Sequence, residues 1–235
     1  MKKELFLMGV ITSLSLTGCA GGKASLKNPE EKTSYAIGYT IGKDIKNQKM
    51  EIKYSSLFSR GIQDALEGKE GLKQEEIQQL VTQYQNEQRK KQEEEQKTLA
   101  EKNLKTQQSF LEENKKKEGV TVLSSGLQYR VIKKGNGKKS PSLNDRVIVH
   151  YRGRLIDGTE FDSSYNRNQP TEFPVNGVIR GWTEALQQMV IGDQWELIIP
   201  SELAYGERSA GNIIGPNSAL VFEIELLEIK SQKKG

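Results

Sequence analysis

The chain has 235 residues, a formal charge of +4, 34% apolar and 28% charged side chains, one Cys and one His. A single Cys excludes a disulfide framework within the chain, and one Cys with one His excludes a multi-His/Cys metal centre. Lysines and glutamates are interleaved, which reads as a mixed soluble surface rather than a nucleic-acid footprint, and the low apolar content predicts an elongated, solvent-rich part.

The first elements are a basic start, Lys2 and Lys3, and an apolar run over residues 5–16. That run is too short to span a hydrocarbon core of roughly 30 Å and reads as a targeting segment. It ends in Leu16-Thr17-Gly18-Cys19, which resembles the lipobox of bacterial lipoproteins. The resemblance implies a signal peptide over residues 1–18, cleavage before Cys19 and acylation of Cys19. An ordinary signal peptide with a chance Cys is the rival reading. Residues 19–28 are then a lipidated tether. Ala20 after the Cys resembles the outer-membrane sorting pattern of enteric-type bacteria.

Residues 29–72 read as short helices. Pro29, Glu30 and Glu31 suit a helix start. Ile37, Ile41 and Ile45 form an apolar stripe, and Gly38 and Gly42 share a row that lets a partner helix come close. A second helix over residues 55–67 turns Leu57, Phe58, Ile62, Ala65 and Leu66 inward. These pieces hold too few large apolar residues for a core of their own, so pairing with a second copy through residues 29–84 is expected. Residues 73–118 read as one long stalk helix, roughly 70 Å at 1.5 Å per residue. Its stretch over residues 86–98 has no apolar side chain; Glu87–Lys91 and Glu93–Lys97 are spaced as supporting ion pairs. A disordered linker is the competing reading.

From Gly119 the period becomes two. Leu127, Tyr129 and Val131 alternate in a strand, and Gly135-Asn136-Gly137 is turn chemistry rather than a phosphate loop. Residues 147–162 read as a hairpin: Val147, Val149 and Tyr151 alternate with Ile148, His150 and Arg152, and Asp157-Gly158 suits a type I′ turn. The second arm carries Phe161 and Asp162. A short helix over residues 181–189 carries Trp182 and Leu186, and residues 194–199 and 219–229 are further strands. The expected fold class is α+β: an N-terminal all-α region and long helix, then a C-terminal domain over residues 119–235 with a small antiparallel sheet curled over one short helix.

Four blocks now stand in order, VHYRGRLIDGTEFDSS, VIRGWTEAL, GDQWELIIPSELAYGE and IIGPNSALVFEIELLEI. Over about residues 124–230 they resemble the FK-binding-protein (FKBP) family of peptidyl-prolyl cis–trans isomerases. SYAIGYTIGKDI resembles the dimerisation region of the macrophage-infectivity-potentiator type. The resemblance implies pocket aromatics at Tyr151, Phe161, Phe173, Trp182 and Phe222, and a pocket carboxylate at Asp162 paired with Arg167. It further implies that the Ile179 N–H, beside Val178, binds a ligand carbonyl, that Tyr205 donates a hydroxyl, and that Ile213 and Ile214 form a flap. Thr171 and Ala210 depart from the usual aromatic and histidine. Asp162 and Tyr205 are the expected catalytic pair and the others bind substrate. A plain surface pairing of Asp162 with Arg167 is the alternative for that pair.

The implied chemistry needs no nucleophile, metal or cofactor. An X-Pro bond turns over a barrier of roughly 20 kcal/mol, and an apolar cup favours the twisted, less dipolar amide over the planar one. The expected partners are proline-containing unfolded or partly folded proteins, macrolide FKBP inhibitors, a second copy of the chain, and a membrane through the lipid anchor only. The expected setting is the bacterial cell envelope, at the outer membrane facing the periplasm or cell surface, with a role in protein folding and chaperone activity. The alternative function is an FKBP-shaped binding chaperone or adhesin with little turnover. His150 is read as structural.

Overall fold

Helix α1 (Pro29–Asn47) starts on a capping box. The Asn28 side chain accepts from the Glu31 N–H at 2.8 Å, and Glu31 reaches back to the Asn28 N–H at 3.3 Å. Helix α2 (Ser55–Leu66) follows. The computed structural model describes residues 26–48 and 50–231. The segment expected to be a signal peptide, Cys19 and the start of the expected tether lie outside them. The chain divides into two compact units, residues up to Gln79 and residues from Leu80.

The first unit exposes what it would be expected to bury. Neither α1 nor α2 has a buried residue; Ile37 is 59% exposed and Leu57 62%. A fully buried side chain of this size contributes about 1.5–3 kcal/mol, and a single copy of these helices collects little of it.

Helix α3 (Gln74–Asn114) runs on into the second unit. Its polar stretch is exposed, and the two expected ion pairs do not form. Arg89 instead reaches Glu93 at 3.8 Å, and Gln83 donates to Glu87 at 2.9 Å. The spacing permits either set; exposed pairs of this kind contribute little, so side-chain entropy decides among them.

Beyond that stretch α3 is not a free stalk. Gln107 and Asn114 are buried, and Ala100, Asn103, Leu104, Phe110 and Leu111 are half-buried on the same face, at helical spacing. Gln107 Nε2 donates to Ser201 Oγ at 2.9 Å, and its Oε1 accepts from the Ser201 N–H at 3.0 Å. Asn114 donates to Gln128 at 2.9 Å. The second unit therefore takes in much of the helix, rather than starting near Gly119.

The sheet that follows is antiparallel throughout, in the order β1 (Val120–Val122), β2 (Gln128–Lys133), β6 (Gln194–Ile199), β7 (Leu220–Lys230), β3 (Arg146–Leu155), β4 (Glu160–Ser163), with β5 (Thr171–Pro174) also paired to β3. The long central strands β3 and β7 keep the alternation read from sequence: Val147, Val149 and Tyr151, with Leu220, Phe222, Ile224 and Leu226, face the core. Helix α4 (Arg180–Leu186) lies against that face and buries Gly181, Trp182, Ala185 and Leu186. A Cβ on Gly181 would come within 2.5 Å of Ile199, so only glycine lets α4 approach this closely. The result is the expected α+β arrangement.

Two turns differ in detail. Only Gly158 takes positive φ in the β3–β4 loop, with Leu155 N–H bonded to Thr159 O at 2.9 Å. This is a three-residue loop closed by a glycine, not the expected type I′ turn, which needs positive φ at both central residues. Gly135 and Gly137 are required by close approach: a Cβ on either would lie 2.3–2.6 Å from the backbone of residues 191–193. Gly135 N–H donates to the buried Asp193 carboxylate at 2.7 Å.

Candidate active site

The concave face of the sheet, α4 and the loop before β7 enclose a cavity of about 650 Å³. Its floor is Trp182. The indole meets Tyr151, Phe173 and Phe222 edge to face, with ring centres 5.3, 5.6 and 5.1 Å away and planes at 78°, 85° and 81°. Its N–H is buried with no partner among the described residues, so packing alone holds the ring.

Phe161 and Asp162 are neighbours on β4, yet both line the cavity. Successive strand residues should face opposite ways. A bulge resolves the conflict: Asp162 stands opposite Gly153 and Glu160 opposite Arg154, so Phe161 is the extra residue and is turned inward. Gly153 makes room for it. A Cβ there would lie 2.6 Å from both the Phe161 and Phe222 rings, which meet over it at 5.5 Å.

The polar edge is a closed triangle. Tyr151 O–H donates to Asp162 Oδ2 at 2.5 Å, Arg167 Nη1 donates to Asp162 Oδ1 at 2.6 Å, and Arg167 Nη2 donates to Tyr151 Oη at 2.8 Å. Burial by itself would raise the Asp162 carboxyl; the hydrogen bonds from Tyr151 and Arg167 outweigh it and hold the group below the ordinary carboxylate range. Burial and the adjacent carboxylate push the Tyr151 phenol up. Asp162 is thus a fixed anion at the rim and Tyr151 a fixed donor.

Two donors remain open. Ile179, at the start of α4, accepts from Trp182 and Thr183 with its carbonyl, while its own N–H has no partner among the described residues. The Tyr205 hydroxyl lines the same cavity, and the ring is 43% exposed. Opposite them the loop tip folds as a small hairpin, Ala210 N–H to Ile214 O at 2.8 Å and Ile214 N–H to Ala210 O at 3.2 Å, and lays Ile213 and Ile214 along the rim.

The cavity gathers Tyr151, Phe161, Asp162, Phe173, Val178, Ile179, Trp182, Tyr205, Ile213, Ile214 and Phe222. Arg167 stands behind Asp162 rather than on the lining, its guanidinium 5.7 Å from the Tyr151 ring centre. Thr171 pairs with Val149 and lies outside the cavity; Ala210 is on its wall. Three wall positions, Gly177, Gly211 and Asn212, carry no sequence signal of their own. Ser164 was missed as well: fully buried, it accepts from the Tyr151 N–H at 2.8 Å and pins β3 beneath the site. His150 contacts Ser164 at 2.9 Å and stacks on Tyr165, away from the cavity.

A half-open sheet wrapped on one helix carries an aromatic cup, with donors on its rim that have no partner among the described residues; such a cavity has the shape and chemistry to take a compact apolar ring and carbonyls beside it. Family models agree with that chemistry: FKBP-type peptidyl-prolyl cis-trans isomerase matches residues 137–227, and the domain amino terminal to FKBP-type peptidyl-prolyl isomerase matches residues 30–131. The peptidyl-prolyl cis-trans isomerase Mip of Coxiella burnetii is 42% identical over 98% of this chain and 100% of its own length. Outer membrane protein MIP of Legionella longbeachae is 41% identical over 98% of this chain and 99% of its own. Among solved structures, FkpA from Escherichia coli superposes with a TM-score of 0.67 at 36% identity, over 88% of this chain and 99% of that one. The chain belongs to the FKBP-type peptidyl-prolyl cis–trans isomerases, of the macrophage-infectivity-potentiator type. It is an isomerase of X-Pro bonds.

Proposed function

We propose that the cup floored by Trp182 is where the chain turns X-Pro bonds. The observation that carries this is the pairing of an aromatic floor with two donors on its rim, Tyr205 O–H and Ile179 N–H, that have no partner among the described residues. The prolyl ring sits on Trp182 between Tyr151, Phe173 and Phe222. The Ile179 N–H and Tyr205 hydroxyl hold substrate carbonyls and fix one side of the bond while the other rotates. As the amide twists, resonance is lost and the carbonyl becomes less dipolar. An apolar cup stabilises that state relative to the planar one, which is differential binding. Asp162, held ionised by Arg167 and Tyr151, faces the rotating carbonyl and supplies a fixed field there. A macrolide of the FKBP-binding class fills the same cup. The test is line-shape exchange on an X-Pro tetrapeptide: wild type accelerates it and W182A does not. Equal acceleration by both proteins removes Trp182 from the site.

Residues 29–84 form the contact of a homodimer, with Ile37, Ile41, Leu57 and Ile62 as its apolar face. Support comes from their exposure in the single chain and from the N-terminal domain match. Acylated Cys19, after removal of residues 1–18, anchors the chain in the cell envelope; the relative named outer membrane protein supports this setting, and no helix among the described residues is long and apolar enough to cross a membrane. Two linked pockets grip one unfolded client at two prolines, which gives the protein chaperone activity beyond its turnover. Mass spectrometry of the mature N-terminus tests the anchor: lipid on Cys19 supports it, and a bare terminus elsewhere removes it.

A further inference from the structure

The loop over residues 205–219 carries Tyr205, Ile213 and Ile214, one wall of the cup. Within itself it is closed at the tip by the Ala210–Ile214 pair and at the base by Asn217 N–H to Gly206 O at 2.7 Å. Its two ends are fastened elsewhere, and both fastenings come from one helix.

At the leaving end, Asn103 Nδ2 donates to Pro216 O at 2.8 Å, with Ser218 Oγ at 3.4 Å. Asn217 Nδ2 lies 3.4 Å from Ala100 O, and Ser209 Oγ lies 3.4 Å from Gln96 Oε1. Gly215 fits flush against the helix: a Cβ there would be 3.1 Å from Asn103 Nδ2 and 3.4 Å from Leu99. At the entering end Gln107, 2% exposed, binds both the N–H and the hydroxyl of Ser201. Ser201 O in turn accepts from Gly206 N–H at 2.8 Å, directly beyond Tyr205. A cavity of about 410 Å³ remains beside the joint, lined by Ala100, Leu104 and Pro216 as well as Gln96, Glu207 and Asn217. Hydrogen bonds and a few apolar contacts therefore share the hold, and the hydrogen bonds fix its register.

We propose that Asn103 and Gln107 of α3 are positioning residues for the isomerase. They clamp the two ends of the loop that presents Tyr205, Ile213 and Ile214, and so set substrate affinity from outside the cup. The proposal rests on the reading of that cup as the substrate site. Releasing one end lets the loop leave its closed form for part of the time. Apparent affinity then falls in proportion to the closed fraction, while a substrate that does bind is turned over by an unchanged floor.

The experiment uses the full-length chain. N103D keeps the shape of the side chain and replaces the donor facing Pro216 O with an oxygen; N103A is made beside it, so that a charge effect is separable. Expected in both is a raised KM for an X-Pro tetrapeptide, by at most about fivefold, the weight of one hydrogen bond, with kcat within about twofold. Hydrogen exchange should quicken at the amides of Ala210, Ile214 and Asn217 and stay slow in β3 and β7. A role in docking α3 alone would lower Tm and leave KM unchanged; that outcome in either folded variant overturns the proposal. Y205F and W182A on the wild-type helix are run alongside. If both keep wild-type kinetics, the reading of the cup fails; if they lose activity while N103D and N103A keep the wild-type KM, only the clamp fails.

Discussion

The Tyr151 hydroxyl and the Asp162 carboxylate sit 2.5 Å apart, brought together from two strands by a bulge that no alternation rule anticipates. This contact fixes a carboxylate at one side of the rim of the cup. It also has a pH signature. The folded pKa of Asp162 lies below its unfolded value of about 3.9, so its contribution to stability is fully present above that value and is lost as pH falls through the folded one. Tyr151 is raised above its unfolded value of about 10, so its contribution is present below that and is lost as pH rises through the folded value. Neither group titrates between about pH 5 and 9. The pH–rate profile should be flat there, and D162N should lower kcat/KM on the order of tenfold, the weight of a hydrogen bond to a charged group. A break in the wild-type profile near neutrality contradicts the assignment.

Trp182 and Tyr205 should separate stability from turnover. The Tyr205 hydroxyl has no partner among the described residues, so Y205F should leave Tm unchanged while lowering kcat/KM about fivefold. Trp182 packs against three rings and is nearly fully buried, so W182A should cost about 3–5 kcal/mol of stability as well as activity. Calorimetry and the peptide assay, run on the same samples, read the two effects separately.

Gly153 should be intolerant of a single methyl group. Its Cβ would meet Phe161 and Phe222 at 2.6 Å, so one of the two rings that line the cup must shift. G153A should be destabilised by about 1–3 kcal/mol and lose macrolide affinity more than it loses sheet structure. Titration calorimetry with a macrolide, set against far-ultraviolet circular dichroism, measures that difference; unchanged affinity would show that the two rings do not shape the cup.

The alternation of β3 and β7 and the aromatics themselves were legible in sequence, because period-two burial and large side chains leave a mark on the chain. The bulge was not, since it depends on pairing with Gly153 across the hairpin. The clamp was hidden for another reason. The docking face of α3 joins Leu104, Phe110 and Leu111 to Asn103, Gln107 and Asn114 at i, i+3 and i+4 spacing, and its polar members read as solvent-facing. Buried amides that find partners are invisible to a hydropathy pattern. A boundary at Gly119 followed the change of period, whereas the packed unit begins at Leu80.

The exposed helices of the first unit make a separate prediction. A lipid-free chain beginning at Ala20 should sediment as a dimer, and I41D together with I62D should yield monomers with unchanged turnover of a short peptide. The same monomers should refold a proline-limited protein more slowly than the dimer at equal pocket concentration. Equal refolding rates would remove any role for paired pockets.

The most direct test of the central claim is the rate of cis-to-trans conversion of an X-Pro tetrapeptide with full-length protein, measured as a macrolide of the FKBP-binding class is titrated in. The account predicts strong acceleration that falls to the uncatalysed rate at one macrolide per chain, with tryptophan fluorescence changing over the same titration. Acceleration that persists with the cup filled would contradict it.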